Sequence, residues 1–252
     1  MINLKTKDWT IKNIDTVIFD KDGTLIDLHY FWGKMTELRA ENTINFFNLN
    51  PDIKENLCLF LGYDTKNQKM IPTGITAMYS RVKIIELYKE ELKKFNITTT
   101  KETIEELFDK TSENFYLNIE NYIKPIKEAI DFAKKLKEKN IKLAIVTADS
   151  ITSTNKALKY LNIDDLFDIV IARESHPETK ESGKPTQLAL RKLSSNPDNT
   201  IMIGDSPTDH ESAINALIKK TILTASGQMT KQNLQQYSKY CIDSLDEVCI
   251  ID

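Results

Sequence analysis

The string Asp20-Lys21-Asp22-Gly23-Thr24-Leu25 sets two carboxylates two residues apart, directly after the apolar run from Thr16 to Phe19. In extended backbone such residues face the same way, so Asp20 and Asp22 can converge while Lys21 points elsewhere and Gly23 permits a sharp turn. Two carboxylates facing an anionic ligand would repel it and raise each other's pKa, so the pair calls for a cation between them. Hard oxygen donors with no His or Cys in attendance favour magnesium.

Further acids lie downstream. Gly204-Asp205-Ser206-Pro207-Thr208-Asp209 follows the run Thr200 to Ile203, which places Asp205 and Asp209 at a strand end and the next helix start. Four acidic groups are therefore expected on one rim, at the edge where open α/β sheets bind ligands. Thr147 follows Ala144-Ile145-Val146, and Lys184 lies in Ser182-Gly183-Lys184-Pro185, a loop opening a helix. A hydroxyl and an ammonium suit phosphoryl oxygens. The blander readings are a solvated turn at Asp22-Gly23 and a helix cap at Ser206 or Thr208 with Pro207 in the first turn, and capping can coexist with metal binding.

The elements that must hold these residues are short apolar runs alternating with helical stretches. The runs fall at Thr16 to Phe19, Lys142 to Val146, Ile169 to Ile171, Thr200 to Ile203 and Thr221 to Leu223, and they suit strands buried on both faces of a parallel sheet. Helices are predicted at about Pro125 to Lys139, Ser153 to Leu161, Pro185 to Leu193 and Asp209 to Leu217. From about Leu28 to Tyr122 the periodicity is helical, with no convincing strand. Phe31, Met35 and Leu38 share one face, as do Ile75, Met78, Val82 and Ile85, and Thr99 with Glu102 reads as a capping box before Ile104, Leu107, Phe108 and Phe115. The prediction is an α/β core of residues 1–27 and 123–252 with an all-helical insertion at 28–122. Within that insertion His29 could line an entrance, and Lys69 and Arg81 could grip a distal anion. His176 and His210 share no metal-ligand spacing with it.

Composition narrows the partners. Lys plus Arg (34) nearly balances Asp plus Glu (37), which leaves no basic field for nucleic acid. Apolar runs are strand-sized, excluding a bilayer span, and the polar start Met1 to Trp9 lacks a secretory core, so a cytoplasmic protein is expected. Cys58, Cys241 and Cys249 form no CxxC pair and fit a reducing compartment.

With these motifs in order, the chain after about Ile14 resembles the haloacid dehalogenase superfamily of phosphohydrolases. The resemblance implies a Rossmann-like core, a nucleophile at Asp20, a general acid/base at Asp22, and phosphate ligands at Thr147 and Lys184. It also implies magnesium held by Asp20, Asp205 and the Asp22 backbone carbonyl, with Asp209 in support. The insertion resembles the α-helical cap of the subgroup with phosphoglycolate phosphatases and β-phosphoglucomutases, and Asp27 fits that subgroup. Two positions depart from the pattern: Lys21, where many relatives carry an apolar residue, and Gln187, where they often have proline. The activity implied is hydrolysis of a small phosphorylated metabolite. A sugar-phosphate mutase on the same core, or a non-catalytic binding module, are the alternatives, and a module would tend to lose Asp20 or Asp22.

Overall fold

The structure is a computed structural model that describes residues 1–251. Two short strands, β1 (Ile2–Lys5) and β2 (Thr10–Ile14), precede β3 (Thr16–Phe19), every residue of which is buried. The chain then builds a second compact unit, Leu28–Lys124, before rejoining the first, which comprises Met1–Asp27 and Pro125–Asp252.

The inserted unit holds α1 (Leu28–Phe47), α2 (Lys54–Leu61), the two-residue strands β4 (Tyr63–Asp64) and β5 (Lys69–Met70), α3 (Ile75–Met78), α4 (Arg81–Leu92) and α5 (Lys101–Leu117). Its core joins Ala40 and Ile44 to Leu57, Leu61, Ile84, Tyr88 and Phe108. Three local expectations are corrected here. The insertion is helical but carries the β4–β5 ladder, too short for any periodicity to announce. Ile75 to Ile85 is not one helix: Ser80 caps a new one by accepting from the Lys83 N–H, leaving Met78 and Val82 exposed while Ile85 is buried. The cap of α5 is Thr100 rather than Thr99, its hydroxyl accepting from the Thr103 N–H.

Back in the first unit follow α6 (Lys127–Glu138), β6 (Lys142–Val146), α7 (Ile151–Tyr160), β7 (Ile169–Ile171), α8 (Lys184–Leu193), β8 (Thr200–Gly204) and α9 (Pro207–Asn215). The chain ends with β9 (Thr221–Thr224), α10 (Lys231–Leu234), β10 (Tyr240–Ile242) and β11 (Cys249–Ile251). Six of these strands form a parallel sheet in the order β10-β9-β8-β3-β6-β7, so β3 sits between strands that come much later in sequence. β1 pairs antiparallel with β2 and with β11 from the other end of the chain, a small sheet not anticipated because its strands are short and partly polar. Among the described residues no helix is long and apolar enough to cross a membrane.

One cation is conspicuous within the helical unit. Arg39 on α1 is 6% exposed, its guanidinium lies 4.7 Å from the centre of the Phe108 ring, and its Nε has no hydrogen-bond partner. Burial, helped by nearby Arg81, lowers its pKa to about 10. The nearby carboxylate, Asp109, is paired with Arg81, and a buried charge without an ion pair of its own costs more in desolvation than it returns. Arg39→Met, which keeps a similar stem, should therefore leave the thermal midpoint unchanged or raise it in calorimetry. A loss above about 2 kcal/mol would show that the guanidinium stabilises the unit after all.

Candidate active site

The site grows out of strand register. Phe19 at the end of β3 pairs with Ile145 of β6 on one side and Ile203 of β8 on the other, so the loops after all three strands leave the sheet side by side. The Asp20 N–H donates to the Ile203 carbonyl at 2.8 Å, extending the ladder by one residue and setting Asp20 beside the end of β8. The chain then turns back tightly: the Lys21 carbonyl accepts from the Leu25 and Ile26 N–H groups, and Gly23 occupies the left-handed region at φ 89°.

Asp20, Asp205 and Asp209 converge, all three buried, with carboxylate oxygens within 4.8 Å of one another. Lys180 keeps them together. Its Nζ lies 2.5 Å from Asp20 Oδ1 and 2.6 Å from Asp209 Oδ1, and its side chain is almost fully buried. The other oxygen of Asp209 accepts from the Asp205 N–H, the Ser206 N–H and the Ser206 hydroxyl, so the same side chain caps α9 and braces the cluster. Two glycines admit this crowding: a Cβ at Gly204 would collide with the Asp209 carboxylate, and one at Gly227 with that of Asp205. Ser226, beside Gly227, donates to the Gly23 carbonyl at 2.7 Å and ties the loop after β9 to the Asp20 loop.

Burial raises the pKa of Asp20 to about 7, with Asp209 and Asp22 adding to the effect and Lys180 opposing it. Burial together with Asp209 and Asp20 raises Asp205 well above the usual carboxylate range. For Lys180 burial alone would depress the pKa, but the two carboxylates outweigh it and hold the group charged.

The residues singled out by sequence fall into three sets. Asp20, Asp205 and Asp209 meet, and Thr147 stands buried at the end of β6, its Oγ1 accepting from the Asp149 N–H so that its own hydrogen can be donated. Asp22 stands outside the three-acid cluster: Lys21 Nζ holds its Oδ1 at 2.7 Å. Lys184 is not in the cluster either. It opens α8 with an exposed side chain, while the ammonium in contact with the acid cluster is that of Lys180, four residues earlier in a short turn over Lys180–Ser182. Gly183 at φ 75° packs against Asn215, whose amide donates to the Glu181 carbonyl, and this loop geometry turns Lys180 inward. The remaining three lie in the helical unit: His29 Nδ1 accepts from the Met70 N–H at 3.0 Å, Lys69 is exposed on β5, and Arg81 pairs with Asp109 at 2.6 Å.

Lys180, Asp149 and Gly227 were not legible beforehand. Lys180 sits in a polar loop beside the more conspicuous Lys184-Pro185, and no local pattern separates the two. Asp149 carried a faint signal, being an acid two residues beyond Thr147 at a strand end.

The donor set fits a hard divalent cation. The cluster consists of carboxylate oxygens alone, buried and mutually repulsive, and the single ammonium of Lys180 offsets only part of their charge.

A sequence profile of the haloacid dehalogenase-like hydrolases matches residues 14–216. The chain belongs to that family. It is 25% identical to the pyrophosphatase PpaX of Halalkalibacterium halodurans over 210 residues, covering 83% of each chain. It is 26% identical to the phosphoglycolate phosphatase of Aquifex aeolicus over 206 residues, covering 82% of this chain and 83% of the other. Among solved structures, a predicted phosphoglycolate phosphatase from Haemophilus somnus superposes with a TM-score of 0.71 at 17% identity, covering 93% of this chain and 96% of that one. A candidate β-phosphoglucomutase from Thermotoga maritima gives 0.67 at 19%, with the same coverage. The protein is thus an enzyme, a haloacid dehalogenase-like hydrolase.

Two outcomes test the geometry. Lys180→Met should lower turnover by about 10²-fold or more, because an electrostatic anchor is removed, whereas Lys184→Met should change it by less than about twofold. Equal losses would return the ammonium role to Lys184. The second concerns pH. Asp20 and Asp205 bind protons more tightly in the folded protein than in the unfolded chain, so metal-free stability falls as pH rises from about 4 through about 7. In EDTA the melting temperature should drop between about pH 5.5 and about pH 8, and a divalent cation should restore it most at the higher pH. A metal-free midpoint that rises over this interval would contradict the assignment.

Proposed function

We propose that the protein is a magnesium-dependent phosphatase acting on a small phosphorylated metabolite, a phosphomonoester, through a phosphorylated Asp20. The observation that carries this reading is the seating of Asp20: buried at the carboxyl edge of the parallel sheet, gripped by Lys180, and flanked by Asp205 and Asp209. A carboxylate so placed is oriented as a nucleophile, and no other buried acid in the cluster heads a strand-end loop with a second acid two residues on.

Asp20 forms a bond to phosphorus as the bond to the leaving oxygen breaks, and Asp22 gives that oxygen a proton. Asp22 then takes a proton from water, whose oxygen attacks phosphorus, releasing phosphate and regenerating Asp20. Thr147 donates its hydroxyl hydrogen to the phosphoryl oxygens, and Lys180 keeps the nucleophile in place. Magnesium bound by Asp20, Asp205 and the Asp22 backbone carbonyl, with Asp209 bracing, would offset the negative charge that gathers on these groups. The helical unit is read as the cap of this family, with His29 at its entrance and Lys69 and Arg81 as grips for a distal anion of the substrate. Two of the three cysteines are buried and all are free, in keeping with a reducing, cytoplasmic setting.

Two relatives' names favour further substrates on the same chemistry: pyrophosphate, from the PpaX proteins, and sugar-phosphate isomers, from the β-phosphoglucomutase fold. Phosphate release should therefore be measured across phosphomonoesters and pyrophosphate, with a sugar-phosphate isomer assay alongside. The expected result is magnesium-dependent monoester hydrolysis, abolished by EDTA and reduced at least about 10³-fold in Asp20→Asn. Brief acid quenching of the wild type should trap one phosphoryl group on Asp20 by mass. Turnover persisting in Asp20→Asn would defeat the nucleophile, and turnover in EDTA would defeat the metal.

A further inference from the structure

Beside the acid cluster lies a second buried ionic group that the mechanism above does not use. Lys21 is fully buried, and its Nζ sits 2.7 Å from Asp22 Oδ1 and 2.9 Å from Asp149 Oδ2. Asp149 is itself fixed: its N–H donates to Thr147 Oγ1 at 3.1 Å, and its Oδ1 accepts from the Ser150 N–H at 2.7 Å, at the start of α7. The three side chains are 0%, 17% and 6% exposed for Lys21, Asp22 and Asp149, so Asp22 alone keeps an open side. An apolar residue at position 21 would fill the space without burying a charge, so an ammonium there calls for a reason beyond packing.

We infer that Lys21 is a positioning residue that fixes which oxygen of Asp22 delivers the proton. A carbonyl oxygen accepts from an ammonium better than a carboxyl hydroxyl does, so with Lys21 on Oδ1 a protonated Asp22 favours its hydrogen on Oδ2. Anchored through Asp149 to the loop that presents Thr147, Lys21 sets the open edge of Asp22 against the same strand ends that hold the phosphoryl group. Two acids sharing one ammonium also keep this group at a net charge of minus one, and neither carboxylate can swing into the Asp20 cluster without losing its counterion.

This inference rests on Asp22 acting as the acid, and the test separates the two claims. Lys21→Met alone would leave two buried carboxylates facing each other and could unfold the chain. The informative variant is Lys21→Met/Asp149→Asn, which preserves the net charge and the acceptor for the Ser150 N–H, its fold checked by melting temperature. It is compared with Asp22→Asn on p-nitrophenyl phosphate, whose leaving group needs little protonation, and on glycerol phosphate, whose leaving alkoxide needs it fully. The quantity read is kcat/KM, set by the phosphorylation step. Asp22→Asn should lose about 10²-fold more on the glycerol ester than on the aryl ester. The double variant should lose in the same direction, by at least about tenfold more on the glycerol ester. Equal losses on both esters in the double variant, with the difference retained in Asp22→Asn, would overturn the role of Lys21 and leave Asp22 as the acid. No difference in Asp22→Asn would overturn both.

Discussion

The ammonium of Lys180 between Asp20 and Asp209 is the interaction on which the site depends. Three carboxylates within 4.8 Å of one another, all withdrawn from water, cannot all stay charged without a counterion. Lys180 supplies one positive charge, which is enough to hold the cluster in place and too little to neutralise it. Burial first, and the neighbouring carboxylates second, push the pKa values of Asp20 and Asp205 upward. A site that is folded yet still short of positive charge is suited to take up a cation.

That arrangement is inherited from the sheet. Because β3 lies between β6 and β8 in matched register, the loop after β3 leaves the same edge as two loops more than a hundred residues later in sequence. Asp209 then serves twice, capping α9 through one oxygen and meeting Lys180 through the other, so the orientation of that helix and the charge balance of the site are one constraint. Gly204 and Gly227 have their place for the same reason, since any side chain there would occupy the space of a carboxylate.

The family relationship fixes the type of chemistry more firmly than its object. Relatives named pyrophosphatase and phosphoglycolate phosphatase match this chain at similar identity, and a mutase-like fold superposes nearly as well as a phosphatase-like one. One fold can host several activities, because function resides in the site rather than in the core that carries it. In this chain the insertion has its own apolar core and its own buried cation, Arg39, packed against Phe108.

The sequence by itself determined the parallel core strands, the helical nature of the insertion and the grouping of Asp20, Asp205 and Asp209, because buried strands are short apolar runs and the residue ending each run must emerge at the sheet edge. It did not determine the antiparallel sheet of β1, β2 and β11, whose partners come from opposite ends of the chain, nor the break before α4, which depends on the Ser80 cap. Only the tertiary structure decided between Lys180 and Lys184. Both lie in one polar loop, and the choice turns on how Gly183 packs against α9. Likewise Lys21 and Asp149 become partners only when β3 and β6 lie side by side: a charge pair between distant segments leaves no periodic trace, because its energy depends on a distance that the folded sheet alone sets.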